Sequence, residues 1–247
     1  MKIVKKINQC IQAVRMYRQD LKQYIKMSLE DESFIYDKKQ RKPMLMDRFH
    51  AAGNVDDHYF FQDLYMAREI YAANPVRHYD IGSRLDGFIA HLLSFRENVT
   101  MIDIRPLPYD IKGLEFLQGN AMELDKTCVN CLESLSSLHA IEHFGLGRYG
   151  DPVDPRAWKI ALYSMEKAMK SKGRLYISVP IGPENKVHFN AHRIFEIHLI
   201  PENLKHCKLV KFAYIKNEVI YDVPIDQFAT YRIKEDYLCG LYIFEKL

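Results

Sequence analysis

The segment His78-Tyr79-Asp80-Ile81-Gly82-Ser83-Arg84-Leu85-Asp86-Gly87-Phe88 sets acids and glycines where a short apolar run gives way to a helical pattern. Glycine permits a tight turn and close approach of a ligand to the backbone. A dinucleotide would rest its pyrophosphate on the helix start here, and the Asp80 carboxylate would repel it. A ligand carrying an ammonium and a sulfonium would be attracted instead. Asp103 closes the next apolar run, Val99-Thr100-Met101-Ile102-Asp103, where a carboxylate can accept both hydroxyls of a ribose. Asn120 follows the third run, Phe116-Leu117-Gln118-Gly119-Asn120-Ala121, and its amide can bond an adenine amino group.

A second cluster suits proton transfer. Within Ser136–Pro152, His139, Glu142 and His143 follow the fourth apolar run, and Arg148 and Tyr149 come shortly after. Imidazole, with an ordinary pKa of about 6.5, can take a hydroxyl proton near neutral pH. The i, i+3, i+4 spacing would also hold a divalent metal on one helical turn. Ile141 and Phe144 point to burial, however, and no metal is expected. His188-Phe189-Asn190-Ala191-His192-Arg193 offers another wall. There His192 is a second base candidate, and Asn190 and Arg193 could grip a polyol or an anion. His58, Gln62 and Asp63 lie on a predicted helix that could close over the site as a lid.

These residues need a scaffold that brings strand ends together. Apolar runs at Arg77–Ile81, Val99–Ile104, Leu114–Gln118, Leu132–His139, Arg174–Val179, Leu209–Ile215 and Leu238–Glu245 read as strands. Helical patterns at Tyr59–Ala73, Phe88–Phe95, Arg156–Met169 and Ala191–Leu199 lie between several of them. This alternation predicts an α/β fold, Rossmann-like and doubly wound, with a mainly parallel seven-stranded sheet. An amphipathic helix with apolar positions Ile7, Ile11, Val14, Tyr17, Leu21, Tyr24 and Ile25 precedes it. A charged stretch at Glu30–Lys42 and a turn at Gly53-Asn54 follow that helix. Residues 1–43 are therefore expected to be a basic helix and linker, and 44–247 the catalytic domain.

The three strand ends resemble class I S-adenosylmethionine (SAM) dependent methyltransferases. There the first strand carries an acid–glycine turn, the second a ribose acid and the third an adenine contact. The resemblance implies a SAM site of Asp80, Gly82, Ser83, Arg84, Gly87, Asp103, Ile104, Asn120 and Ala121, with S-adenosylhomocysteine (SAH) as product. Arg84 departs from the pattern, which has glycine there. It narrows the space over the turn or reaches the methionine carboxylate.

The long motif at 136–152, with H-Y-F-F-Q-D-L at His58–Leu64 and F-N-A-H-R-I-F at Phe189–Phe195, resembles an uncharacterised methyltransferase-like family, domain of unknown function 268. That resemblance covers roughly residues 44–245. It implies O-methylation of a small polar acceptor, a sugar or sugar derivative in glycan biosynthesis, phosphorylated or not. His143, His139, Glu142 and His192 would then be catalytic, and Arg148, Tyr149, Asn190 and Arg193 would hold the acceptor. A nicotinamide oxidoreductase is the rival enzyme, and Asp80 opposes it. Arg84 and Asn120 leave open a methyltransferase-like binding or scaffold module without activity.

Composition narrows the field further. The 247 residues are 48% hydrophobic and 27% charged, which excludes disordered and collagen-like chains. The net charge is only +3. There is no basic stripe on the catalytic part and no Asn-Pro-Pro-aromatic motif, so nucleic acid is not expected. Lys and Arg exceed Asp and Glu within residues 1–42, a balance that suits a membrane surface, a nucleic acid or an acidic partner, while the apolar face of the first helix could pack on the main domain, a membrane or a second copy of the chain. No apolar run is long enough to span a membrane. The five cysteines, Cys10, Cys128, Cys131, Cys207 and Cys239, read as free thiols in a reducing cytoplasm.

Overall fold

The computed structural model describes residues 2–27, 36–49, 55, 58–96 and 98–247. They fall into two compact units, Met1–Val55 and Asp56–Leu247. In the first, helix α1 spans Lys2–Met27 and is followed by short 3-10 turns at Lys38–Gln40 and Asp47–Phe49. The side chain of Asp37 caps the first turn by accepting from Lys39 N at 2.8 Å. The earlier part of the charged stretch, and the Gly53-Asn54 turn, lie outside the described residues. No described helix is long and apolar enough to cross a membrane.

The second unit starts with α2, Tyr59–Ala73, which buries Met66, Ala67 and Ile70. Asn74 ends it in the left-handed conformation, donating its N–H to Ile70 O and Tyr71 O, and Pro75 prevents continuation. Then come β1 (His78–Ile81), α3 (Ala90–Leu93), β2 (Val99–Asp103), β3 (Leu114–Gln118), α4 (Leu124–Thr127), β4 (Leu132–Leu138) and α5 (Ala157–Ala168). The remainder is β5 (Met169–Gly182), β6 (Lys186–His188), β7 (His192–Glu196), α6 (Leu199–Asn203), β8 (Cys207–Lys216), β9 (Val219–Val223), α7 (Ile225–Phe228) and β10 (Leu238–Lys246).

The strands run in the order β3-β2-β1-β4-β5-β10-β8-β9. The first five are parallel, and β10 enters antiparallel between β5 and β8. Register aligns the carboxyl ends, with Ile81 beside Ile102, Asp103 beside Gln118 and Leu138 beside Ser178. In an open α/β sheet that edge is where ligands bind. Beneath it, side chains such as Tyr176, Phe195, Phe212 and Tyr242 are fully buried, and a phenylalanine so placed contributes roughly 1.5–3 kcal/mol. The Tyr242 hydroxyl donates to Ile197 O at 3.1 Å, so its burial leaves no donor stranded.

The α/β, mainly parallel sheet is as expected, and among the described residues it has ten strands where seven were read. Other details differ. Residues Ala191–Leu199 are not a helix, because His192–Glu196 forms β7, antiparallel to β6 and parallel to β5. Ile194, Phe195 and Ile197 satisfy a helical and an extended spacing alike, and left-handed Asn190 (φ 63°) turns the chain into a hairpin. β9 went unseen because its two-residue turn, Asn217-Glu218, is left-handed at both positions without a glycine to announce it. Finally, Cys128 and Cys131 are paired as a disulfide, their Cα atoms 5.9 Å apart across left-handed Asn130. Cys10, Cys207 and Cys239 are free.

Candidate functional site

Two adjoining cavities open at the carboxyl edge of the sheet. One, of about 290 Å³, lies over the ends of β2 and β3, walled by Ile102–Arg105 and Gly119–Met122. The other, of about 440 Å³, is bounded by Tyr59, Gln62, Asp63, Glu142, Arg148, His192 and Tyr237 among others. Gly82, Arg105, His139, His143 and Tyr149 wall both.

Gly82 makes the β1 turn with φ +71°, and an added Cβ would stand 3.2 Å from Ala140 Cβ. Asp80 is fully buried under this turn and lines neither cavity. Its carboxylate accepts from Ser83 N at 3.0 Å, from Ser83 Oγ at 2.7 Å and from Ser136 Oγ. Burial lifts its pKa to about 6, against those hydrogen bonds. Asp80 thus braces the glycine turn from beneath.

Gly87 is also away from both cavities. A Cβ there would collide with the Asp63 carboxylate, which is buried and accepts from Gln62 Nε2 at 2.9 Å. Gly87 serves packing of α2 on the turn at 85–89. Gly87→Ala is expected to destabilise the fold by about 1–3 kcal/mol, read as a lower Tm. Adding Asp63→Ala should recover part of that loss.

Asp103 is presented at the end of β2 into the smaller cavity. Burial would raise its pKa, but hydrogen bonds from Arg105 outweigh this and hold it below the usual range. Arg105 grips both carboxylate oxygens, Nε to Oδ1 at 3.0 Å and Nη2 to Oδ2 at 2.7 Å. The Arg105 guanidinium then lies over the Tyr149 ring, 4.6 Å from its centroid. This arginine was not singled out from sequence. Its position two residues past the strand-end acid was the available signal.

Ile104 and Ala121 line the same cavity, as does Asn120. Asn120 Oδ1 accepts from Met122 N at 3.0 Å, capping the 3-10 turn at Ala121–Glu123. Its amide NH₂ is the group left for a ligand. Ser83 and Arg84 line the larger cavity, where Arg84 pairs with Asp86 at 3.1 Å.

His139 follows β4 with φ +49°, a left-handed conformation uncommon for a residue with a side chain. Its N–H donates to Ser178 O at 3.0 Å. Glu142 lies between two imidazoles: Oε1 is 3.0 Å from His139 Nδ1 and 3.6 Å from His143 Nε2. Burial works against charge on His139, but Glu142 outweighs it and raises the imidazole pKa. His143 differs. Burial dominates there and pushes its pKa below the ordinary 6.5. His143 Nδ1–H donates to Ala191 O at 2.6 Å, which fixes the tautomer and leaves Nε2 as the basic atom. Glu142 Oε2 is buried without a hydrogen-bond partner among the described residues.

Arg148 lines the larger cavity and donates to Ala191 O at 3.1 Å. His192 lines it too, stacked on His188 with centroids 5.1 Å apart. Burial lowers the His192 pKa. Asn190 and Arg193 line neither cavity. Buried Arg193 donates to Phe144 O at 2.6 Å and Glu142 O at 3.3 Å, pinning the turn that follows β4. Tyr59 and Tyr237, like Arg105, were not singled out from sequence, and they add aromatic wall to the larger cavity.

Residues 111–201 match the family described as "Caenorhabditis protein of unknown function, DUF268". That span runs from just before β3 through the His139–His143 loop and β7. No curated protein matches the chain by sequence. Among solved structures, the 1,6-didemethyltoxoflavin-N1-methyltransferase of Burkholderia thailandensis, with bound 1,6-didemethyltoxoflavin and SAH, is 18% identical. It covers 74% of this chain and 78% of its own, with a TM-score of 0.51. The N-methyltransferase NodS of Bradyrhizobium japonicum, in complex with SAH, is 11% identical, covering 91% and 97%, with a TM-score of 0.52. The [4+2]-cyclase SpnF is 11% identical, covering 74% and 80%, also at 0.52. The chain has the class I methyltransferase fold. One of these neighbours is a cyclase by name, so the reaction must be argued from the site.

Proposed function

We propose that the protein is a SAM-dependent methyltransferase acting on a small polar acceptor. The carrying observation is that two cavities share one wall of Gly82, Arg105, His139, His143 and Tyr149. Asp103 would hold the ribose of SAM and Asn120 its adenine in the smaller cavity, and the Gly82 turn would leave room for its methionine arm at the wall the two cavities share. The residues fit this group: a carboxylate at the β2 end and a glycine turn too tight for a Cβ. When bound, SAM supplies an electrophilic methyl group. The chain supplies position, which carries most of the rate, and a base.

The acceptor in this reading carries a hydroxyl, as in a sugar or sugar derivative. The unpartnered Glu142 Oε2 supports that, since a buried acceptor in a cavity wall calls for a donor. Aromatic rings of Tyr59 and Tyr237 beside Gln62, Asp63, Arg148 and His192 suit a polyol face. Arg148 would take a phosphate if the sugar bears one. His143 Nε2 would take the acceptor's hydroxyl proton as the O–CH3 bond forms and the S–CH3 bond breaks, with SAH leaving as the neutral thioether, and Glu142 Oε1, 3.6 Å from Nε2, would stabilise the imidazolium. The test uses SAM labelled in its methyl group and a panel of sugars, sugar phosphates and nucleotide sugars. Label should appear in a low-molecular-weight product alongside SAH. SAM binding with no transfer to any acceptor would favour a non-catalytic module.

A further inference from the structure

The geometry points to a transition-metal site formed by His58, His139 and Cys239, with zinc(II) the ion its donors suit best. One nitrogen of each imidazole and the Cys239 sulfur all lie within 4.8 Å of one another. His139 Nε2 is 3.4 Å from Cys239 Sγ. Nitrogen and sulfur donors on a tetrahedral zinc, at about 2.0–2.1 Å and 2.3 Å from the ion, stand about 3.6 Å apart. These two donors are therefore already at coordination spacing.

A second observation concerns orientation. The other nitrogen of His139, Nδ1, faces Glu142 Oε1 at 3.0 Å. Metal-binding imidazoles are ordinarily held in this way, with a carboxylate on one nitrogen and the ion on the other. The sulfur is positioned as well. Cys239 is 1% exposed on β10, and its thiol faces Gln62 Oε1 at 3.5 Å, itself fixed by Ser178 Oγ at 2.6 Å.

Two imidazoles and a thiolate select a borderline or soft ion and disfavour magnesium or calcium. Three protein ligands leave a fourth position for water or another ligand. Binding would release the thiol proton, and any proton on His139 Nε2, to solvent. The ion would tie His58, just before α2, to the end of β4 and to β10. It would thereby order the wall that carries Tyr59, Gln62 and Asp63. This donor set shares only His139 with the i, i+3, i+4 grouping weighed from sequence. Its ligands come from three distant parts of the chain, so no spacing motif announces it. The inference does not depend on methyl transfer.

The test strips the full-length protein with a chelator, then titrates zinc(II), and cobalt(II) as a spectroscopic probe. One equivalent of zinc per chain should survive dialysis and raise Tm. Cobalt should give a thiolate charge-transfer band. Cys239→Ser should lose that band, and His58→Ala should lower zinc affinity by at least tenfold. If Cys239→Ser does not fold, His58→Ala gives the deciding stoichiometry. Failure of the wild type to retain zinc would overturn the proposal. So would a cobalt–thiolate band surviving in Cys239→Ser, which would assign the ion to the other cysteines. SAM affinity, measured separately, distinguishes failure here from failure of the methyltransferase reading.

Discussion

His143→Ala is expected to lower turnover by about 10²-fold or more while leaving SAM affinity near that of the wild type. His143 walls both cavities, and its Nδ1–H is committed to Ala191 O, so Nε2 is the atom that can take a proton. The anchors proposed for the cofactor lie elsewhere, on the ends of β1, β2 and β3. The pH dependence follows from the direction of its shift. Burial lowers the His143 pKa below 6.5, and a general base works only when neutral. Turnover should therefore fall in acid, below the ordinary imidazole range, where His143 takes up its proton. The residual activity of His143→Ala should lack that acid limb. If the variant instead melts earlier with turnover per folded molecule intact, His143 is structural. The base role then passes to His192, another cavity-lining imidazole with a lowered pKa.

Asp103→Ala should weaken cofactor binding by more than tenfold. Two hydroxyl-to-carboxylate hydrogen bonds would be lost, each worth about 1.5–3 kcal/mol as charge-assisted bonds. The same substitution frees Arg105 from its bidentate partner and so loosens its stacking on Tyr149. Arg105→Ala separates the two effects. It leaves the carboxylate in place and should cost less than Asp103→Ala if ribose contact dominates. An unchanged dissociation constant in folded Asp103→Ala would remove Asp103 from the site.

Much of this was legible in the residues themselves. β1, β2, β3 and β4 were recognisable as short runs between turn residues, although only β2 is buried throughout and β3 lies largely exposed at the sheet edge. Their ends then predicted which polar residues would gather, and Gly82, Asp103, Asn120, His139 and His143 do share one edge. What was hidden depends on contacts distant in sequence or on backbone without a residue signature. Ser136, on β4, fastens Asp80 beneath the turn, a contact that no local spacing announces. Gly87 was read as a cofactor glycine, yet its neighbour is Asp63 from a preceding helix. Arg193 resembled a substrate arginine, and only tertiary structure puts it behind the loop on two carbonyls. Ile194, Phe195 and Ile197 fit two periodicities, and hairpin pairing decided between them.

The central claim is that the cavity over β2 and β3 binds SAM and its product. Calorimetric titration of the purified chain with SAH tests it most directly. Binding should saturate at one equivalent with a dissociation constant in the micromolar range, about −8 kcal/mol. SAM should compete for the same site, and a nicotinamide dinucleotide should not. The absence of heat with both SAM and SAH, together with saturable binding of the dinucleotide, would contradict it.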